Sequence, residues 1–303
     1  MLTASVVVSC YNQEQYIGEC LDSILAQSIS FECEIIVSDD CSTDQTQNIL
    51  KAYKEKYSDK IKLHLREQNV GAAVNYIDLH NLAQGDIVYH FDGDDIMLPG
   101  KLQNQYDVFV RDADVNVVFH NAVYFSDDST YCSRTNFSIV KDKEYSCFSL
   151  DELARWGTIA VHGSYAYRRS SRKTKYLNRE FMEWFFAMDS LIPSGKGVFL
   201  REPYIKYRCN PMGNSYLSTR TGQLKAYRIY LEDLLIIFNS TPHLRKDLYV
   251  NFIVTFLSMI KTTRSFQAKY LFFLLRNSLY FRPSKLIDTI KVRLTVGPAL
   301  KVR

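Results

Sequence analysis

Strand-like and helix-like segments alternate through the first 115 residues of the chain, and this alternation constrains the fold more than any other feature. The strand-like runs, such as residues 5–9 and 87–91, are short, almost continuously apolar and rich in β-branched side chains. The stretches between them, such as residues 17–26 and 101–111, carry apolar residues at helical spacing. Continuous apolar strands separated by helices are typical of a parallel sheet covered on both faces. The sequence therefore predicts an α/β fold with a mostly parallel, Rossmann-like sheet flanked by helices.

The later part of the chain continues this pattern less regularly. A further strand is predicted at residues 115–125, and two more at 164–167 and 197–200, with a helix at 180–192 between them. From residue 223 onward the sequence reads as wholly helical. We therefore expect a C-terminal helical appendage.

Polar side chains follow the first, second and fourth predicted strands at the point where each strand ends. Tyr11 and Asn12 follow the first strand, Asp39 and Asp40 follow the second, and a D-G-D-D segment at 92–95 follows the fourth. In sheets of this type, ligands bind outside the carboxyl ends of the strands. We therefore expect the three clusters to converge on one crevice.

The D-G-D-D segment concentrates three carboxylates at one strand end. Like charges this close repel, and a hard divalent cation, which prefers oxygen ligands, neutralises them. We expect Asp92 and Asp94 to bind Mg²⁺ or Mn²⁺ or the phosphates of a nucleotide, with Gly93 giving the backbone freedom that lets both face one point. The alternative is a solvated loop, and for Asp95 we favour a cap on the helix that follows Pro99.

Composition and motifs exclude several classes of protein. A hydrophobic content of 47% with 23% charged residues indicates a globular chain. The seven cysteines are scattered without a C-x-x-C pair or a Cys/His cluster, which argues against a disulfide framework or a structural zinc site and favours a reducing compartment. The N-terminus lacks signal-peptide features, and the apolar stretch at 248–260 is shorter than the ~20 residues that span a bilayer. We therefore expect a cytoplasmic protein that is not transmembrane.

The charge is unevenly distributed along the chain. Residues 241–303 contain 12 Lys and Arg against 2 Asp and Glu, a charge of +10, whereas the rest of the chain carries −6, giving +4 in total. Phe266, Tyr270, Phe273 and Leu274 accompany these cations at helical spacing. Two interpretations stay open. The tail could rest on anionic lipid at the inner face of the plasma membrane, or its helices could pack on the body with a solvated basic face.

Three stretches, taken together, resemble the family 2 glycosyltransferases of the GT-A fold. V-V-V-S-C-Y-N-Q resembles the family's first strand and Tyr-Asn turn, E-I-I-V-S-D-D its second strand with an Asp pair, and N-V-G followed by F-D-G-D-D its Asn-x-Gly turn and D-x-D segment. The resemblance is close over about the first 115 residues and extends loosely to about residue 215. It implies an inverting transferase that moves a sugar from a nucleotide sugar, usually a UDP-sugar, to an acceptor hydroxyl in the synthesis of a bacterial surface polysaccharide such as O-antigen or capsule.

The resemblance also implies roles for individual residues. Tyr11 and Asn12 would line the uridine pocket, and Asp39 would accept a hydrogen bond from uracil. Asp92 would meet the ribose or the metal, and Asp94 would ligate Mg²⁺ or Mn²⁺ directly. The implied nucleotide-sugar residues are Tyr11, Asn12, Asp39, Asn69, Gly71, Asp92 and Gly93, and the implied metal ligands are Asp94 and Asp92.

Inverting transfer needs a carboxylate that takes the proton of the acceptor hydroxyl. In this family that carboxylate precedes a Gly-containing strand and a Tyr-Arg pair, and residues 182–208 contain this pattern. We predict Asp189 as the base, with Glu183 as its rival and Glu180 as a third choice. Many relatives have a His shortly after the Tyr-Arg pair; this chain has Asn210, which could serve as a weak additional metal ligand.

The implied organisation is a GT-A catalytic domain over residues 1–220, with a nucleotide-sugar half at 1–115 and an acceptor half at 116–220. A basic helical region follows at 221–303. The expected partners are a nucleotide-sugar donor and a glycan or lipid-linked glycan acceptor, with no nucleic acid. A homo-oligomer stays open.

Two other functions stay open. The first is a non-catalytic protein that binds nucleotides or carbohydrates. The second is a phosphatase with a D-x-D nucleophile and acid, although that class requires Thr or Val where this chain has Ile96, and it has no use for Asp39. A dinucleotide-dependent dehydrogenase is excluded, because no G-x-G-x-x-G follows the first strand.

Overall fold

The computed structural model describes residues 1–126, 145–209 and 219–295, together with the backbone of residues 133–134. The strands are β1 (Ala4–Cys10), β2 (Cys33–Asp39), β3 (Ile61–Leu65), β4 (Ile87–Asp92), β5 (Ile96–Met97), β6 (Val115–Phe125), β7 (Ser133–Arg134), β8 (Tyr145–Phe148), β9 (Ala166–Arg168) and β10 (Lys196–Arg208). The helices are α1 (Ile17–Leu25), α2 (Thr46–Lys56), α3 (Ala72–Leu82), α4 (Lys101–Arg111), α5 (Leu150–Trp156), α6 (Trp184–Leu191), α7 (Arg220–Ser240), α8 (Arg245–Thr263), α9 (Ala268–Arg276) and α10 (Pro283–Arg293). Asn210, the predicted weak metal ligand, lies outside the described residues.

The described strands form one mixed sheet in the order β3-β2-β1-β4-β9-β6-β10-β5, with β7 beside β6 and β8 beside β10. Neighbouring strands from β3 to β4 are parallel. Strand β9 is antiparallel to both β4 and β6, and β10 is parallel to β6, so the second half of the sheet regains the direction of the first. The prediction of a mostly parallel α/β sheet is confirmed.

The two late strands differ from the sequence prediction. The strand expected at 164–167 is β9, which is short and antiparallel to its neighbours. The strand expected at 197–200 is the first third of β10, which runs for 13 residues. Its register shifts on both sides of Pro203, a residue that cannot donate a ladder hydrogen bond. The exposed residues before Pro203 interrupt the apolar run, so the sequence pattern ends too early.

The sheet separates two apolar cores, and β1 contributes to both. Val7 points into one core, whereas Val6 and Val8 point into the other, and all three side chains are fully buried. This alternation across a strand that is buried on both faces explains its continuous apolar run.

The C-terminal helices share the first of these cores with α5 and α6. The ring of Trp184 at the start of α6 meets Tyr230 of α7 edge to face, with ring centroids 5.1 Å apart. Helix α9 packs its inner side on α8, where Phe273 lies 4.5 Å from Phe252 between ring centroids. The domain boundary at 220/221 stays a prediction. Within the described residues, no helix combines the length and the apolar character needed to cross a bilayer.

Candidate active site

The carboxyl ends of β1, β2 and β4 lie side by side. In the strand register Ser9 pairs with both Ser38 and Asp92, and Cys10 pairs with Asp39. Neighbouring strands are ~4.8 Å apart, so Asp39 and Asp92 flank the end of β1 at a separation of about 10 Å. The polar clusters that follow these strands therefore border one edge of the sheet.

Asp39 is fully buried, and its carboxylate organises the loop between β2 and α2. One oxygen accepts hydrogen bonds from the backbone N–H of Ser42 at 2.9 Å and from Gln47 Nε2 at 2.7 Å. The other oxygen accepts from the Ser42 hydroxyl. A uracil ring would have to share or replace one of these partners to bind as the sequence predicts.

Tyr11 and Asn12 form the turn after β1. Asn12 has a left-handed backbone with φ of 52°, which Asn tolerates better than most residues. Its N–H donates to Ser42 Oγ at 2.8 Å, and its side-chain oxygen accepts from the Thr43 N–H at 2.8 Å. These bonds join the first two strand-end loops. Tyr11 remains 36% exposed, so its ring is available to a flat ligand.

Asn69 and Gly71 are held against the end of β2 by Asp40. The Asp40 carboxylate accepts from the backbone N–H groups of Val70 and Gly71, each at 2.9 Å, and Asn69 Nδ2 donates to the Asp40 carbonyl at 3.0 Å. Gly71 has φ of 85°, a conformation that glycine adopts without strain. Asp40 therefore fixes the loop that leads into α3.

Gly93 is required for a different reason than the one predicted. Its φ lies outside the left-handed region. A Cβ at this position would come within 2.3 Å of Gln13 Oε1, 2.9 Å of Ile17 Cδ1 and 3.0 Å of Cys10 Cβ. Glycine thus lets the D-G-D-D segment approach the start of α1, and it does not supply a twist that aims Asp92 and Asp94 at one point.

Asp94 and Asp95 are tied to the end of β10 by Arg208. The backbone carbonyl of Asp94 accepts from Arg208 Nε at 2.8 Å, and the Asp95 carboxylate accepts from the Arg208 N–H at 2.9 Å. The Asp95 side chain is buried and holds β10, so our expectation that it caps α4 is wrong. Burial and repulsion from Asp92 raise the pKa of Asp94 to about 6.

A chain of hydrogen bonds runs beneath Asp92. Arg172 Nη1 lies 3.3 Å from Tyr167 Oη, which lies 2.9 Å from His80 Nδ1. His80 Nε2 lies 3.0 Å from His90 Nδ1, and His90 Nε2 lies 3.1 Å from Asp92 Oδ1. Burial works to raise the pKa of Asp92, but hydrogen bonds from His90 and Ser9 act against it, and that pKa lies below its usual range. A buried cation and a carboxylate thus occupy the two ends of this chain.

His162 lies between Asp92 and Glu183. It sits in a short 3₁₀ helix before β9, with its Nδ1 4.0 Å from Asp92 Oδ2 and 3.7 Å from Glu183 Oε1. Desolvation raises the pKa of Glu183 to about 7, and repulsion from Asp92 and Asp233 adds to it. The Glu183 side chain nevertheless remains 41% exposed. The site therefore contains a reachable carboxyl that changes charge near neutral pH.

Asp189, predicted as the base, has a different environment. One of its oxygens accepts from the backbone N–H groups of Lys173 and Thr174 at 2.9 and 2.8 Å, and the other accepts from Thr174 Oγ1 at 2.8 Å. Six residues turn a helix through roughly 240°, so Asp189 and Glu183 leave α6 on different sides. The Asp189 carboxylate thus fastens the loop at residues 173–174, whereas Glu183, its predicted rival, lies beside His162.

Two sets of donors in the site could hold a divalent cation. Asp94 and Asp92 form an all-oxygen set, and the raised pKa of Asp94 reflects a repulsion that a cation would relieve; this set fits Mg²⁺ or Mn²⁺. The ligand atoms of His90, Asp92 and His162 form a second set within 4.8 Å of one another. The two His rings, however, are stacked 3.8 Å apart with planes inclined by 24°, so their nitrogen lone pairs do not converge well. By donor chemistry, the oxygen set is the one that suits Mg²⁺ or Mn²⁺.

Sequence reasoning missed His80 and His90 and gave Arg208 no role of its own. His90 lies inside the apolar run of β4 and was treated as part of a strand. The signal that could have found it is its spacing of two residues from Asp92, which places both side chains on the same face of the strand.

Residues 5–176, more than half of the chain, match the family described as glycosyl transferase family 2. The chain belongs to this family. Among its relatives, an uncharacterized protein of Mycobacterium tuberculosis is 38% identical over 117 residues, which are 38% of this chain and 34% of that protein. The chain therefore aligns with only about a third of this relative's length. The putative teichuronic acid biosynthesis glycosyltransferase TuaG of Bacillus subtilis is 40% identical over 107 residues, 35% of this chain and 42% of the relative.

Solved glycosyltransferase structures share the fold. S. aureus TarS 1–349 in complex with UDP-GlcNAc matches 98% of this chain and 82% of its own, with a TM-score of 0.61 and 20% identity. GalNAc-T7 with UDP, GalNAc and Mn²⁺ matches 74% of this chain and 49% of its own, with a TM-score of 0.52 and 13% identity. The predicted GT-A fold of a family 2 glycosyltransferase is confirmed.

Proposed function

We propose that this family 2 glycosyltransferase moves a sugar from a UDP-sugar to a hydroxyl of a glycan, with inversion at the anomeric carbon, in the synthesis of a surface polysaccharide. Its likeness to a structure that holds UDP-GlcNAc and to a putative teichuronic acid enzyme supports this choice. The donor would lie across the ends of β1, β2 and β4. Tyr11 would face the uracil ring, and Asp94 would face the diphosphate.

The observation that carries the proposal is the arrangement of Glu183, His162 and Asp92. Glu183 is an accessible carboxyl whose pKa is about 7, and the His162 imidazole lies between it and the Asp92 carboxylate at the end of β4. A general base works best when its pKa is close to the operating pH. Glu183 therefore replaces Asp189 as the proposed base.

In the proposed reaction, Glu183 accepts the proton of the acceptor hydroxyl. The oxygen forms a bond to the anomeric carbon from the face opposite the diphosphate, and the bond between that carbon and the diphosphate oxygen breaks with its electron pair on UDP. Positioned general bases contribute about 10²–10⁴ in rate. Asp94 and Asp92 would hold Mg²⁺ or Mn²⁺, which when bound offsets negative charge on the diphosphate.

The test is a panel of UDP-, GDP- and TDP-sugars with Mn²⁺, Mg²⁺ or EDTA, read by thermal shift and by release of the nucleotide diphosphate. We expect a metal-dependent rise in melting temperature with UDP and UDP-sugars, and slow hydrolysis of one UDP-sugar. Binding without turnover, across donors and glycan acceptors, would favour the non-catalytic alternative. Donor binding that ignores EDTA would contradict the metal assignment.

The acceptor we propose is a glycan linked to lipid, because the C-terminal helices carry an unpartnered apolar face. The inner side of α9, with Tyr270, Phe273 and Leu274, packs on the protein. Its outer side carries Leu271, Phe272 and Leu275, which are 40%, 67% and 66% exposed. Soluble helices normally present polar residues on their outer side, and contiguous exposed apolar surface marks an interaction site.

Charge favours an anionic bilayer as the partner of this face. Lys269 and Arg276 lie seven residues apart on α9, so they border the same edge of the apolar face. Lys269 also lies 3.7 Å from Glu232 of α7, in a pair whose two side chains are more than half exposed. The only two carboxylates after residue 240 are Asp247, 2.7 Å from Arg155 and 2.6 Å from Lys285, and Asp288, 2.7 Å from Arg155. Both are thus engaged within the protein. A two-fold dimer through this face would bring like charges together, whereas anionic lipid would complement them.

A further inference from the structure

The chain of hydrogen bonds beneath Asp92 connects two charged groups that have no direct contact. Arg172 is 3% exposed, and among the described residues no carboxylate lies within salt-bridge distance of it. Its guanidinium lies over the ring of Phe186, 4.2 Å from the ring centroid. Burying a cation without a paired anion is costly, so the structure must compensate the charge of Arg172 in another way.

The direction of each hydrogen bond between the two ends follows from pairing every buried donor, the Tyr167 hydroxyl included. Arginine can only donate, so Tyr167 Oη accepts from Arg172; of the two contacts that this hydroxyl makes among the described residues, His80 Nδ1 is the one that can accept its hydrogen. An ionised carboxylate can only accept, so His90 Nε2 must carry the hydrogen that faces Asp92. His90 Nδ1 then accepts from the Nε2–H of His80. The arrangement that pairs every donor therefore has both His80 and His90 as neutral Nε2–H tautomers.

This arrangement leaves Asp92 with one occupied and one available oxygen. Its Oδ1 accepts from His90 Nε2 at 3.1 Å and from Ser9 Oγ at 3.2 Å. Its Oδ2 has a longer approach, 4.0 Å, to His162 Nδ1. The hydrogen on His90 Nε2 also blocks the nitrogen that would be needed for the His90–Asp92–His162 set to bind a metal.

We propose that Tyr167, His80 and His90 are positioning residues for Asp92: their aligned hydrogen bonds start at the buried Arg172 cation and hold the Asp92 carboxylate with Oδ2 presented to the ligand. The importance of this orientation for donor binding rests on the proposed function, but the series of hydrogen bonds from Arg172 to Asp92 does not. Outer groups that orient a ligating side chain commonly contribute ten- to hundredfold to affinity (~10–100).

The neighbouring Tyr165 provides a matched control. Tyr165 and Tyr167 are each 1% exposed, and their rings stack with centroids 5.1 Å apart. The Tyr165 hydroxyl bonds to the Phe186 carbonyl at 3.2 Å and to Ser190 Oγ at 3.0 Å, outside the chain. Tyr165→Phe and Tyr167→Phe therefore each remove one buried hydroxyl, but only the second breaks the chain.

The first measurement is the tautomer of the His80 and His90 rings in the unmodified protein. Long-range ¹H–¹⁵N correlation of the ¹⁵N-labelled histidines reports it, and the protein has only six histidines to assign. We expect His80 and His90 as Nε2–H tautomers, and Tyr167→Phe but not Tyr165→Phe should shift the signals of both. An Nδ1–H tautomer at His90 would overturn the proposal.

The second measurement is calorimetric affinity for UDP with Mn²⁺, with unfolding midpoints recorded to check the fold. We expect about a tenfold loss for Tyr167→Phe and less than about a twofold loss for Tyr165→Phe. Equal losses would overturn the positioning role. If the unmodified protein does not bind UDP at all, the proposed function fails. The histidine tautomers alone then decide whether the series of hydrogen bonds from Arg172 to Asp92 is formed as proposed.

Discussion

Glu183 is the side chain on which the proposed chemistry depends most. Glu183→Gln keeps the shape of the side chain but cannot accept a proton, so we expect transfer to fall by about 10²–10⁴ while UDP affinity stays within a few-fold. The measurement is steady-state transfer alongside calorimetric UDP binding. The control is Asp189→Asn, which should lower the unfolding midpoint by loosening the loop at residues 173–174 and spare most of the transfer. The reverse pattern would return the base to Asp189.

The raised pKa of Glu183 also predicts a pH signature. Transfer should increase as the pH rises through about 7, because only the ionised carboxylate is a base. Stability should change in the opposite direction. The raised pKa stabilises the fold fully below the unfolded value near 4.5, and this contribution is lost as the pH rises through about 7. The melting temperature of Glu183→Gln relative to the unmodified protein should therefore increase between pH 5 and pH 8; a constant difference would contradict the shifted pKa.

Asp94 is the residue through which a cation should act. The Asp94 carboxylate is costly beside Asp92 unless a cation offsets their repulsion. Asp94→Asn removes this carboxylate and with it one proposed ligand of the cation. The variant should therefore lose the thermal shift that Mn²⁺ produces with UDP, and its metal affinity should fall about 10–100-fold. Asp59→Asn, at an exposed position, controls for the loss of one negative charge. An unchanged response of Asp94→Asn to Mn²⁺ would remove Asp94 from the metal site.

The residues that could be predicted are those whose signal lies in consecutive positions of the sequence. Those that could not be predicted meet only in the folded protein. Asp39, Asp92 and Asp94 follow apolar runs that end abruptly, and that signal is written in consecutive residues. His80 and Tyr167 are 87 positions apart and meet only because β9 inserts antiparallel beside β4. No spacing along the chain indicates such an insertion.

Helix phase explains the exchange of the two candidate bases. Helix α6 begins at Trp184, directly after Glu183, and ends at Leu191. The sequence pattern locates this helix but not its rotation about its own axis, because its apolar residues run almost all the way round. Only the packing of Trp184 and Phe186 into the core decides that Asp189 turns toward the loop at residues 173–174.

Helix α9 supports a prediction about lipid binding. Phe272→Ser/Leu275→Ser should lower binding to vesicles of 30% phosphatidylglycerol in phosphatidylcholine by at least about tenfold, because the lost apolar surface drives insertion. Replacing Arg276 with Gln should cost about fivefold at low salt and little at high salt. Sedimentation with vesicles measures both.

The controls for α9 come from exposed apolar residues on other helices. Val110 and Leu82 are 57% and 40% exposed on α4 and at the end of α3, so Val110→Ser/Leu82→Ser removes two exposed apolar side chains elsewhere. Hydrolysis of the UDP-sugar should be unchanged in both double variants. Vesicle binding that is equal in the two, or dimerisation that the α9 variant abolishes, would contradict the lipid assignment.

The whole molecule depends on its C-terminal helices more than the term appendage suggests. Asp233 of α7 accepts a hydrogen bond from the Met182 N–H at 2.8 Å and pairs with Arg179, so α7 holds the segment that carries Glu183. Helices α7 and α8 also complete the core around Trp184. The proposed base and the proposed lipid-binding region are thus parts of one packed unit.

Truncation tests this dependence. A chain that ends at residue 220 should be insoluble or molten, because it exposes the apolar surface that α7 and α8 cover. A chain that ends at residue 295 should behave as the full protein does. Soluble yield and cooperative thermal unfolding measure the difference. A folded fragment 1–220 that binds UDP would support the predicted domain boundary and contradict this dependence.

The outer face of α9 also determines how the purified protein should behave in bulk solution. At low ionic strength, the net charge of +4 keeps molecules apart, so the exposed apolar residues of α9 do not associate. Added salt shortens the range of that repulsion but does not weaken the hydrophobic attraction between the outer faces of α9 on different molecules. The turbidity of the solution should therefore increase as the sodium chloride concentration is raised, and a mild detergent should reverse the increase.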